Sequence, residues 1–107
     1  MKETVIEEAM RIRGVRGVAV VGQSGKVSAS SIDARELNEF FELLFRVASP
    51  SDSDSGLGAV KRIMVRTDRA EVLSLMMHSK EALGIVSEKW RPMAELCADV
   101  KALLPGV

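Results

Sequence analysis

The chain has 107 residues, 47% of them hydrophobic and 28% charged, and its fifteen basic and fifteen acidic side chains cancel. That length suits one domain, able to bury roughly 65% of its unfolded surface. The composition argues against disorder, and the missing net charge argues against a nucleic-acid or anionic-membrane partner.

Thr4 and Glu7 stand at capping-box spacing. Val5, Ala9 and Ile12 then fall on one side, joined by Ile6 and Met10, so a first helix is predicted over about Val5–Arg13. Gly14 closes it, because glycine accepts the left-handed C′ conformation. Val15, Val18, Ala19, Val20 and Val21 form a β-branched apolar strand. Gly22-Gln23-Ser24-Gly25 is a tight turn with glycine at both ends, where positive φ is cheap. Lys26–Ser31 returns as a strand, with Val27 and Ala29 on one face and Lys26, Ser28 and Ser30 on the other.

The second helix is predicted over about Ala34–Ala48. Asp33 is placed as its N-cap with Glu36 as the box partner, and Ile32 and Leu37 form a hydrophobic staple. At 100° per residue, Leu43, Val47, Phe40, Leu44, Leu37, Ala48, Phe41 and Phe45 span an arc of roughly 200°. An ordinary surface helix needs a stripe of about 100°. All three phenylalanines of the chain lie here. A domain of this size has little material to wrap a helix on three sides, so one flank is expected to cover the sheet and the other a second subunit.

Ser49–Ala59 (SPSDSDSGLGA) reads as a polar connector. Val60–Thr67 is a strand, with Arg62, Met64 and Arg66 on one face and Lys61, Ile63, Val65 and Thr67 on the other. After a turn at Asp68–Ala70, Glu71–His78 is the next strand. A turn at Ser79–Glu81 leads into Ala82–Ser87, and the three runs make a meander. Gly84 within the last strand marks a bulge or a close approach. The final helix begins at Pro92, carries Met93, Leu96, Cys97, Val100, Leu103 and Leu104 on one stripe, and stops at Pro105-Gly106. The order α-β-β-α-β-β-β-α gives an α+β fold, an antiparallel sheet with helices on its faces.

Catalytic chemistry is hard to assemble from these residues. Gly25-Lys26 invites comparison with a phosphate-binding P-loop, but the first glycine of that motif would fall on Val20, Val27 replaces its Ser/Thr, and a strand follows where a helix should. His78 is the only histidine and has no recognisable partner set, so it reads as a surface residue at a strand end. Cys97, the single cysteine, falls on an apolar stripe and reads as a buried thiol. It permits no internal disulfide, which fits a reducing cytoplasm. No ligand spacing points to a metal, and no cofactor is expected. Glu3, Glu7, Glu8, Glu39 and Glu42 read as solvated charges. Met64, Met76 and Met77 offer an adaptable surface, although either Met76 or Met77 is better spent filling the core. Trp90 is expected to pack where the last helix starts, the alternative being an exposed anchor. The first residues lack a signal-peptide core, and no apolar run approaches the ~20 residues of a membrane span, so a cytoplasmic location is expected.

The segment I-x-G-V-x-G-V-A-V-V-x-x-x-G-x-V-x-A-S from Ile12 to Ser30, together with the order of elements, resembles the Roadblock / dynein-light-chain family. Its carriers are Gly14, Val15, Gly17, Gly25 and the Ala29-Ser30 pair, and Val65–Asp68 (VRTD) is similar to the family's turn between the third and fourth strands. Longin and profilin-like domains share a related layout. The resemblance implies a five-stranded antiparallel sheet with the first and last helices on one face and the middle helix on the other. It implies a homodimer in which the third strands, here Val60–Thr67, pair edge to edge and the middle helices, Ala34–Ala48, lie side by side. The expected interface residues are Phe40, Phe41, Leu43, Leu44, Phe45, Val47, Arg62 and Met64. It further implies a non-catalytic platform that regulates or scaffolds a small Ras-like GTPase, with no catalytic motif of its own. The alternatives are an adaptor subunit of a larger assembly or a small-ligand sensor domain, the latter needing a polar-lined pocket between sheet and helix.

Overall fold

The computed structural model describes residues 4–48, 62–68, 71–78 and 80–104. Its elements are α1 (Thr4–Met10), β1 (Val15–Val21), β2 (Val27–Ser30), α2 (Arg35–Ala48), β3 (Arg62–Arg66), β4 (Glu71–His78), β5 (Glu81–Glu88) and α3 (Met93–Lys101). The strands form one antiparallel sheet in the order β2-β1-β5-β4-β3. The β1–β2 hairpin and the β3–β4–β5 meander are joined by the β1–β5 pair, which leaves β2 and β3 as the two edges.

Successive strand residues face opposite ways, so each central strand serves two cores. Val18, Val20, Met76, Leu83 and Ile85 pack with Val5 and Ala9 of α1 and with Leu96, Cys97 and Val100 of α3. On the other face Ala19, Val21, Leu73, Leu75, Ala82 and Val86 pack with Phe41, Leu44 and Phe45 of α2. Burial on both faces explains why β1, β4 and β5 read as nearly continuous apolar runs. This is the α+β arrangement expected, with α1 and α3 on one face and α2 on the other.

Several details differ from the sequence reading. α1 stops at Met10, short of Arg13. The N–H groups of Arg11 and Ile12 donate to the carbonyls of Glu8 and Ala9, which tightens the last turn before Gly14 at φ 90°. In the hairpin turn only Gly25 takes a positive φ, 85°. Gly22 instead holds the turn closed, donating to the Lys26 carbonyl and accepting from Gly25 N–H, both at 2.9 Å. β2 is shorter than predicted by one residue at each end. α2 starts one residue late, and Ala34 stands in the N-cap place expected of Asp33, its carbonyl accepting from Leu37 and Asn38. β5 is longer than predicted, because Glu81 and Glu88 pair with His78 and Glu71 across the ladder. Pro92 precedes α3 at ψ 127°, an extended value, so the first helical residue is Met93. The connector 49–59, Val60 and Lys61 at the predicted start of the third strand, and Pro105-Gly106 lie outside the described residues.

Candidate functional site

The angular order of α2 decides what the helix can touch. Phe41, fully buried, together with Leu44, Phe45 and Ala48, forms the half of the arc that meets the sheet. Burying a phenylalanine completely contributes about 1.5–3 kcal/mol. At the other end of the arc Leu43 is 48% exposed and Val47 69% exposed, with Phe40 half-buried between the two halves. An apolar flank is therefore left open to solvent.

The opposite flank of α2 is polar and is already used. Asn38 Nδ2 donates to the Ile32 carbonyl at 3.0 Å, and the Ser30 hydroxyl donates to Asn38 Oδ1 at 2.8 Å. The Val27 N–H donates to the Glu42 carboxylate at 2.8 Å. Glu42 is thus half-buried and fastened to β2, not the freely solvated charge that its place on a polar face suggested. Arg35 and Glu39 pair at 2.9 Å on the exposed surface, where such a pair contributes little.

Because the polar flank is tied to β2, the apolar flank turns towards the other edge, β3. Leu37 and Phe40 line a groove with Val65 of β3 and Leu73 of β4, about 480 Å³ in volume, with Glu36, Asp68 and Glu71 at its rim. On its other side β3 is bonded to β4 from Arg62↔Met76 to Arg66↔Val72, and its outer edge has no strand partner among the described residues. An unpaired edge presents a row of N–H and C=O groups ready to pair with another strand. Ile63 and Val65 point under α2, while Arg62, Met64 (41% exposed) and Arg66 face outward on the α1/α3 side. Over Arg62–Arg66 the predicted alternation is the one found.

The eight expected interface residues therefore separate. Phe41, Leu44 and Phe45 are buried in the chain's own core against the sheet. Phe40, Leu43, Val47, Arg62 and Met64 lie on the accessible side of α2 and β3. Leu37 and Val65 join them as groove residues that the sequence reading did not single out.

Elsewhere, Met76 and Met77 fill opposite cores. His78 is half-buried at the end of β4, opposite Glu81. Cys97 is buried, and its Sγ accepts a hydrogen bond from Arg62 Nη1 at 2.7 Å. Trp90 corrects an expectation: it is 54% exposed, with the Arg13 guanidinium 5.3 Å from its ring centroid and its Nε1 donating to Glu88. Ser74 and Ser87 are the buried polar residues among those described, and both are used internally, by the Met93 sulfur and the Val72 carbonyl. Among the described residues no three His, Cys, Asp or Glu side chains gather as a metal site, and no helix is long and apolar enough to cross a membrane.

No protein-family model matches the chain, and no curated protein matches it in sequence. In structure it is similar to a Roadblock/LC7 domain from Streptomyces avermitilis, with a TM-score of 0.73 and 14% identity over 95% of this chain and 90% of that one. It is similar to the gliding protein MglB of Thermus thermophilus at a TM-score of 0.71 and 17% identity, covering 94% of this chain and 80% of that one. A looser likeness reaches profilin IA of Acanthamoeba castellanii, with a TM-score of 0.59, 17% identity and coverage of 94% and 91%. The fold is that of Roadblock/LC7 domains.

Proposed function

We propose that this chain is a non-catalytic homodimeric module that binds and regulates a small Ras-like GTPase. The observation that carries the reading is the placing of an apolar helix flank, half-buried Phe40 with exposed Leu43 and Val47, beside the β3 edge, which has no strand partner among the described residues. Two copies that pair β3 edge to edge bring both α2 helices together and cover Leu43 and Val47. Such pairing extends the sheet across the subunits and satisfies the edge groups of both strands. The Roadblock/LC7 fold supports a platform role, since the resemblance in sequence implies a dimer that docks a GTPase and no catalytic motif. The internal use of Ser74 and Ser87 supports this reading over a ligand sensor, which needs free polar groups inside.

The test uses the small GTPases of the source organism. Each is incubated with the purified chain while binding, nucleotide hydrolysis and nucleotide exchange are followed. The expected result is binding to at least one GTPase with a change in one of the two rates. Failure to bind any of them contradicts the proposal.

A further inference from the structure

We propose that the paired β3 strands form a docking site for an acidic segment of a partner protein, built from Arg62, Met64 and Arg66 of both copies. This rests on the homodimer reading above. In an antiparallel pair, residues directly opposite each other point to the same face, with Cβ atoms about 4.5–5.5 Å apart. If both α2 helices share one face, both sets of Arg62, Met64 and Arg66 must share the other. A register centred on Met64 sets Arg62 of one copy opposite Arg66 of the second. Four guanidinium groups then surround two methionines in a single seam.

Nothing described in the chain neutralises that seam. Among the described residues Arg66 makes no ion pair or side-chain hydrogen bond, and the side-chain hydrogen bond of Arg62 goes to the Cys97 sulfur. The nearby acids Glu36, Asp68 and Glu71 line the groove on the α2 side, and Glu71 also lies 3.9 Å from Arg16. On α3, Asp99 is held by Arg91, and Glu95 contacts neither β3 arginine. Like charges set directly opposite are unfavourable, so self-pairing leaves a repulsion that an anionic occupant relieves.

The occupant is argued from the chemistry of the seam. Guanidinium groups match carboxylates in a two-pronged geometry, and an exposed methionine adapts to apolar side chains between them. Arg62 donates to Cys97 of α3, so α3 and the seam share one face of the sheet. The zero net charge of the protein gives no long-range field for nucleic acid.

The experiment follows a fluorescein-labelled peptide of repeated Glu-Glu-Leu by anisotropy, with light scattering on the same samples and vesicles containing phosphatidylserine as a second probe. The dimer binds the peptide, Arg66→Gln weakens binding about tenfold, and Arg35→Gln leaves it unchanged. Arg66→Gln also tightens the dimer, a gain that loss of fold would not produce. A dimer that ignores the peptide, that binds it equally well with Arg66→Gln, or that binds only the vesicles overturns the site. A monomer by light scattering contradicts the dimer reading itself, and the site falls with it.

Discussion

The ring of Phe41 lies over the bare backbone of Gly84, and a Cβ at Gly84 would stand 2.7 Å from Phe41 Cδ1. The contact seats the middle of α2 on β5, a central strand of the sheet. It gives the glycine inside β5 its reason: a side chain there would displace the fully buried ring of Phe41.

Gly84→Ala is therefore expected to destabilise the domain by about 1–3 kcal/mol through overpacking. Phe41→Leu in the same background should recover part of that loss, because the smaller side chain yields room. Urea unfolding of the two single variants and the double variant measures the coupling. Strict additivity would show that the ring does not rest on Gly84.

The Glu42 carboxylate holds the Val27 N–H at 2.8 Å, joining α2 to the edge strand β2. Removing a charge-assisted hydrogen bond of this kind costs about 1–3 kcal/mol. Glu42→Ala should lower stability by that order and speed amide exchange in β2 more than in β5. Uniform exchange across the sheet would mean that Glu42 does not fasten that edge.

Trp90, the only tryptophan, sits in the open beneath Arg13. The native protein is expected to show the emission of a water-exposed indole, changing little on unfolding. Arg13→Ala should alter that emission and cost about 0.5–1 kcal/mol at most, as for an exposed cation–π pair. Emission typical of a buried indole would contradict the placement.

Much of this architecture was legible because local patterns coincide with elements. Glu71–His78 is a strand over its predicted length, and α2 ends at Ala48 as its periodicity required. Glycines and small residues of the β1–β2 hairpin pointed to the fold. What stayed hidden depends on partners distant in sequence. Glu81 and Glu88 are strand residues only because β4 offers them a ladder. Glu42 is a polar anchor only because β2 lies beneath it, and Trp90 is exposed because its cover is a single arginine from the other end of the chain. The 200° arc of α2 was visible, but periodicity carries no information on which half the sheet occupies. That missing half is why Phe41 and Phe45 were grouped with Leu43 and Val47 although they face opposite ways.

The division of that arc makes the dimer testable without unfolding the protein. A charge at Phe41 or Phe45 destroys the core and says nothing about assembly, whereas Leu43 and Val47 are open in the single chain. Leu43→Glu and Val47→Glu should leave the single chain folded, with native secondary structure and a cooperative unfolding transition, because both side chains lie outside the core. The decisive measurement is sedimentation equilibrium of the wild-type chain beside the folded Leu43→Glu variant. A wild-type dimer and a monomeric variant are predicted; a monomeric wild type, or a variant that stays dimeric, contradicts the interface assigned to α2 and β3.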